Sequence, residues 1–98
     1  MPTFILATKL SSDITKNPAI REDIGKEWKS KITLKCPKVK WLAHYALLGP
    51  YDFMDIYEAP DEEEAAKVSM ITLSSGASVA ESWTAIPYKR FLELVKEI

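Results

Sequence analysis

Apolar and polar positions along the 98 residues follow two alternating periods. The first run, Phe4-Ile5-Leu6-Ala7-Thr8-Lys9-Leu10, is short and partly β-branched, and Ser11-Ser12-Asp13 closes it as a turn. This predicts a strand, and its apolar character on both faces predicts cover on both sides. The period then lengthens. Ile20, Ile24, Trp28 and Ile32 recur every four residues, which draws one apolar stripe along a helix over residues 17–35. Asn17 suits the N-cap, and Pro18 suits the first turn because its missing N–H would have no partner there. Glu22 and Asp23 stand in the early turns, where the helix dipole favours acids. Arg21, Lys26, Glu27, Lys29 and Lys31 form the polar side, and Gly25 weakens the helix by up to about 1 kcal/mol relative to alanine. Pro37 disfavours helical geometry at Cys36 and ends the element.

A second strand is expected from Val39 to Leu48 and a third from Tyr51 to Glu58, joined as a hairpin through Gly49-Pro50. Asp61 is then the N-cap of a second helix whose first turn is Glu62-Glu63-Glu64 and whose bulk is Ala65, Val68, Met70, Ile71 and Leu73. Ser74-Ser75-Gly76 closes it, with Gly76 as the left-handed residue. A fourth strand over Ser78–Ile86 stops at Pro87, and Tyr88–Ile98 reads as a short helix with Phe91, Leu92, Val95 and Ile98 on one face. The order β-α-β-β-α-β with a C-terminal helix is an α+β, ferredoxin-like plan: one domain over residues 1–98, a four-stranded antiparallel sheet, two helices on one side.

Two helices cover only one face of such a sheet. Both alternation sets of the expected hairpin are nonetheless largely apolar: Val39, Trp41, Ala43, Tyr45, Leu47, Met54 and Ile56 on one side, and Leu42, His44, Ala46, Leu48, Tyr51, Phe53, Asp55 and Tyr57 on the other. An apolar face left open marks an interface, and the simplest cover is the same face of a second copy across a two-fold axis. The expectation is a homodimer, a dimeric α/β barrel with a cavity between its two sheets. The alternative is a monomer whose terminal helix covers the surplus face, but one short helix is too small for four strands.

Charge narrows the function classes. Thirteen Lys and Arg against fourteen Asp and Glu leave a net charge of -1, so nothing in the balance points to nucleic acid or an anionic membrane. No apolar run approaches the roughly 20 residues of a membrane span. The start lacks the basic segment, apolar stretch and cleavage site of a signal peptide, so a cytoplasmic location is expected. A lone Cys36 excludes an internal disulfide, and one His with one Cys cannot build a zinc site. No Walker loop or Gly-x-Gly-x-x-Gly is present, and no cofactor is expected.

The chemistry that remains centres on His44 and Asp55. With Gly49-Pro50 as the turn, Leu48 opposes Tyr51 and His44 opposes Asp55, with Cβ atoms about 4.5–5.5 Å apart on one face. A carboxylate beside an imidazole raises its basicity and fixes its orientation, which prepares a general base. The candidate catalytic pair is therefore His44 and Asp55, and the candidate ligand-binding residues are Leu42, Tyr51, Phe53 and Tyr57. Asp52 is expected to hydrogen-bond turn amides. Three readings stay open: a protein that binds a small, partly apolar organic ligand between the sheets, a cofactor-independent enzyme using His44 as base, and a structural interaction module in which the pair only sets register.

Gly49-Pro50-Tyr51-Asp52 resembles the Gly-x-Tyr-Asp signature of the GYD domain family, and Glu58-Ala59-Pro60-Asp61 is similar to that family's strand-to-helix step. Leu6-Ala7-Thr8-Lys9-Leu10 and the closing strand ending at Ala85 stand where the family places them. The resemblance is strongest over residues 39–64. It implies a dimeric α+β barrel and no particular activity. Barrels of this type include small monooxygenases, decyclising enzymes, haem enzymes and ligand-sensing domains, so fold alone does not choose among the readings.

Overall fold

The computed structural model describes residues 1–98. Its elements run β1 (Thr3–Leu10), α1 (Ser12–Thr15), α2 (Pro18–Lys35), β2 (Lys40–Ala46), β3 (Phe53–Glu58), α3 (Glu62–Ser74), β4 (Ala77–Ala85) and α4 (Tyr88–Val95). The sheet has the order β2-β3-β1-β4, and every neighbouring pair is antiparallel. This is the expected ferredoxin-like plan. The short α1 replaces the simple turn expected after β1. Its buried Ile14 fits beside Gly76, whose φ of 101° ends α3; a Cβ there would overlap the Ile14 side chain. At the other end of α3 the Asp61 carboxylate accepts from the Glu64 N–H at 2.9 Å, as its N-cap position predicts.

The core lies between the sheet and α2 and α3. Alternation sends Phe4 and Leu6 of β1 and Tyr57 of β3 inward, where they meet Ile32 and Cys36 at the end of α2 and Ala65 and Val68 of α3. Phe4 stacks on Tyr57 with centroids 5.6 Å apart. The Tyr57 hydroxyl is satisfied by Ser82 at 2.7 Å, and Ser82 in turn meets Ser69 at 2.7 Å, so the one polar tip in this cluster has partners on β4 and α3. Cys36 is buried beside them, and its thiol is pushed up by desolvation first and by Glu64 next, as befits a small packing residue and not a nucleophile.

The hairpin departs from expectation in two ways. First, the turn is wider. The strands end at Ala46 and resume at Phe53, so residues 47–52 form the connection in place of a two-residue Gly49-Pro50 turn. Asp52 explains it: its N–H donates to Thr8 O, its carboxylate accepts from Leu10 N at 2.7 Å, and its own carbonyl takes Leu47 N–H. The residue is bound to the end of β1 as well as to its own loop, and Leu48 is left fully exposed. Second, β2 carries a bulge. Trp41 pairs with Tyr57 and Ala43 with Ile56, leaving Leu42 unopposed. The bulge turns Trp41 inward, with its ring 5.2 Å from Trp28 and 5.4 Å from Tyr57, and leaves Leu42 outside at 49% exposure. Exchanging Leu for Trp at an inward position buries the larger apolar surface.

The opposite face of the sheet has no cover. Ile5, Met54 and Ile56 are only half-buried there, Tyr45 is 54% exposed and Trp83 is 45% exposed. The terminal helix does not fill the gap. α4 buries none of its residues, and Tyr88, Phe91, Leu92 and Val95 are all exposed.

Candidate functional site

A cavity that contains the His44–Asp55 pair lies beneath α2, along residues 21–29. Its volume is about 490 Å³. The sheet supplies its floor through Thr8, Trp41, His44, Phe53 and Asp55, while α2 supplies its roof through Arg21, Ile24, Gly25, Trp28 and Lys29. Two local features keep it open. Gly25 has nothing within 4 Å of where a Cβ would stand, so the helix presents bare backbone to the space. Trp28 is anchored sideways to α3, its indole N–H donating to Thr72 Oγ1 at 2.8 Å while Thr72 donates to Val68 O at 2.7 Å. That tether braces α2 above the sheet without filling the gap.

His44 and Asp55 are cross-strand partners, as the residue count predicts. The imidazole Nδ1–H donates to Asp55 Oδ1. The carboxyl is buried while the ring remains open to the cavity. Desolvation raises the Asp55 pKa, and the hydrogen bond and charge of His44, with the charge of Lys29, pull it back. With Nδ1 held by a carboxylate, the neutral ring carries its lone pair on Nε2. Phe53 stacks on the ring with centroids 5.4 Å apart and planes 14° from parallel, and the Arg21 guanidinium lies 5.4 Å from the Phe53 centroid. No group of three His, Cys, Asp or Glu residues stands together in a way that could hold a metal ion.

The structure brings together three of the residues singled out from sequence: His44, Asp55 and Phe53. Their face is corrected. They point toward α2, so the space they line lies within one chain and not between two sheets. Leu42 is removed from them by the bulge. Tyr57 sits deeper, wholly buried in the core, with its phenol pushed up to about 12 by desolvation first. Tyr51 crosses to the other face, where it donates to Glu81 at 2.9 Å and meets Trp83 edge-on at 5.9 Å. Trp41, Trp28, Arg21, Gly25 and Lys29 were not singled out as site residues. One signal was available: Arg21, Gly25 and Trp28 stand at i, i+4 and i+7, on one helix face.

The profile of the GYD domain matches residues 4–95. The chain belongs to the GYD domain family. This GYD protein is also 31% identical over 100 residues to the Thermus thermophilus "glutamine synthetase and cystathionine beta-lyase binding protein", a match covering 98% of this chain and all of that one. Two solved structures share its fold. TTHA0845, also from Thermus thermophilus, matches with a TM-score of 0.59 at 20% identity, over 89% of this chain and 95% of the other. FFRP-DM1 matches with a TM-score of 0.57 at 16% identity, over 88% of this chain and all of the other. No helix of the GYD protein is long and apolar enough to cross a membrane.

Proposed function

We propose that this GYD protein is a homodimer that binds a small, partly apolar organic ligand, and that the ligand occupies the cavity beneath α2. The observation that carries the reading is the cavity itself: about 490 Å³, walled by Trp28, Trp41 and Phe53, with the His44–Asp55 pair at its floor and the charged residues Arg21, Glu22, Lys26 and Lys29 on its α2 side. A few placed polar groups in an apolar recess are the usual composition of a small-molecule site. The uncovered sheet face supports pairing with a second copy, because Tyr45, Met54, Ile56 and Trp83 form an apolar surface on the side away from the helices. Native mass spectrometry of protein purified from its own cells tests both parts. A dimer carrying a reproducible small-molecule adduct, absent from Gly25→Leu, is the expected result. A dimer without adduct that also shows no thermal shift with small apolar ligands overturns the ligand, and a monomer overturns the pairing.

Two further readings each have an observation behind them. The bond from Asp55 to His44 favours catalysis with Nε2 as general base; turnover lost in His44→Ala with ligand affinity retained would establish it. The name of the Thermus relative favours docking on other proteins. Co-purification of enzyme subunits that Trp83→Glu abolishes, and that Gly25→Leu leaves intact, would favour that reading over the cavity.

A further inference from the structure

We propose that the cavity beneath α2 takes a planar aromatic monoacid, its ring lying against the aromatic wall of Trp28, Trp41 and Phe53 and its carboxylate met by Arg21 and Lys29. The inference deepens the small-molecule reading and rests on it. Its starting point is the charge around the cavity. Six charged or titratable residues line it: Arg21, Glu22, Lys26, Lys29, His44 and Asp55. Glu22 is paired with Lys26 at 3.5 Å, and Asp55 is taken by His44. The remaining ion pairs, Lys67–Glu64 and Arg90–Glu93, lie elsewhere. Arg21 and Lys29 therefore face the cavity as cations without a carboxylate partner. They stand eight residues apart on α2, on the same side of the helix, and Lys29 is close enough for its charge to act on Asp55.

Arg21 is also positioned. Its guanidinium lies over the Phe53 ring, which is itself stacked on His44. A guanidinium near an aromatic ring still carries five N–H donors, and its edge matches the two oxygens of a carboxylate. The ring preference follows from the walls. Trp28, Trp41, His44 and Phe53 touch one another and form a continuous aromatic wall of the space, with Trp28 and Trp41 centroids 5.2 Å apart, Trp28 and His44 6.3 Å, and His44 and Phe53 5.4 Å. Offset and edge-on contacts to such faces favour a flat aromatic guest over a branched aliphatic one. The single charge follows from Asp55. A neutral guest leaves both cations unanswered, whereas a dianion would bring its second charge toward the buried Asp55 carboxyl.

Isothermal titration with matched acids and amides tests this on the full chain: benzoate with benzamide, 2-naphthoate with 2-naphthamide, and indole-3-acetate with indole-3-acetamide. The expected result is that at least one acid binds roughly tenfold more tightly than its amide. Arg21→Gln should bring that pair to within about twofold of each other with Tm unchanged, and Gly25→Leu should remove both members. Equal binding of acid and amide overturns the anion inference and leaves the cavity reading standing. An acid preference that survives Arg21→Gln with Lys29→Gln, or binding that survives Gly25→Leu, also overturns it. If no acid and no amide binds, the inference and the cavity reading fall together.

Discussion

The two ends of the helix-covered layer are built differently from the same strands. At one end Leu6, Tyr57, Ile32 and Val68 are wholly buried, and the one side-chain polar atom among them, the Tyr57 hydroxyl, is answered by Ser82 of β4. At the other end β3 continues with Asp55 and Phe53, and α2 passes above them with Gly25 and Arg21 where bulk would be expected. One end is close-packed and the other leaves an open recess of about 490 Å³. A small chain accommodates both by dividing the work between them. Apolar burial at the closed end anchors α2 and α3 on the sheet. The hydrogen bond from Trp28 to Thr72 then braces α2 at the boundary, so the open end need not collapse.

Substitutions can break the contrast, and the largest effects belong to the closed end. Leu6→Ala or Ile32→Ala should destabilise by about 3 kcal/mol, read by urea unfolding, because each leaves a void among fully buried neighbours. A loss below about 1 kcal/mol would show that this end is not close-packed. Gly76→Ala should follow at about 2 kcal/mol, combining a φ of 101° with overlap on Ile14. Tyr57→Phe should cost about 1 kcal/mol through its hydroxyl. It carries a pH signature as well. The folded phenol is raised to about 12, so its contribution is complete below about pH 10 and is lost as pH rises toward 12. Tyr57→Phe should flatten that alkaline decline.

The open end should answer with the opposite sign. The Asp55 pKa is raised in the folded protein, so the native state holds that proton more tightly than the unfolded chain does. Its contribution is present in acid and fades as pH rises from about 4 through the raised value. Asp55→Asn should therefore remove this decline and raise neutral-pH stability, measured by denaturation at a series of pH values. A drop in neutral-pH stability would show that the pair with His44 outweighs the burial of the carboxylate. Smallest in stability is Gly25→Leu, expected to add up to about 1 kcal/mol of helix preference while removing ligand binding. Lost stability there would mean that the space is already filled by neighbouring side chains.

Much of the fold was legible along the chain because it rests on local chemistry. The Asp61 cap, the left-handed Gly76, the stop at Pro37 and the four-residue stripe of α2 each depend on near neighbours. The His44–Asp55 pairing was also legible, though through a turn of the wrong size, since widening the connection evenly to residues 47–52 left the register at its centre unchanged. Leu42 and Tyr51 were misplaced for reasons outside their own segment. A bulge is decided by which side chain packs better across the sheet, and Tyr51 follows a loop that Asp52 ties to β1, more than forty residues away in sequence.

Sequence alone thus determined the element order, the antiparallel ferredoxin-like plan and the pairing of one histidine with one carboxylate, because periodicity, capping and strand register are short-range properties. Only tertiary structure decided which face that pair occupies and what stands opposite it. The helices chose the face when Tyr57 and Phe4 were buried beneath them, and the cavity arose where α2 is braced by Trp28 over Gly25. A void is a relation between elements distant in sequence, so no local pattern encodes it.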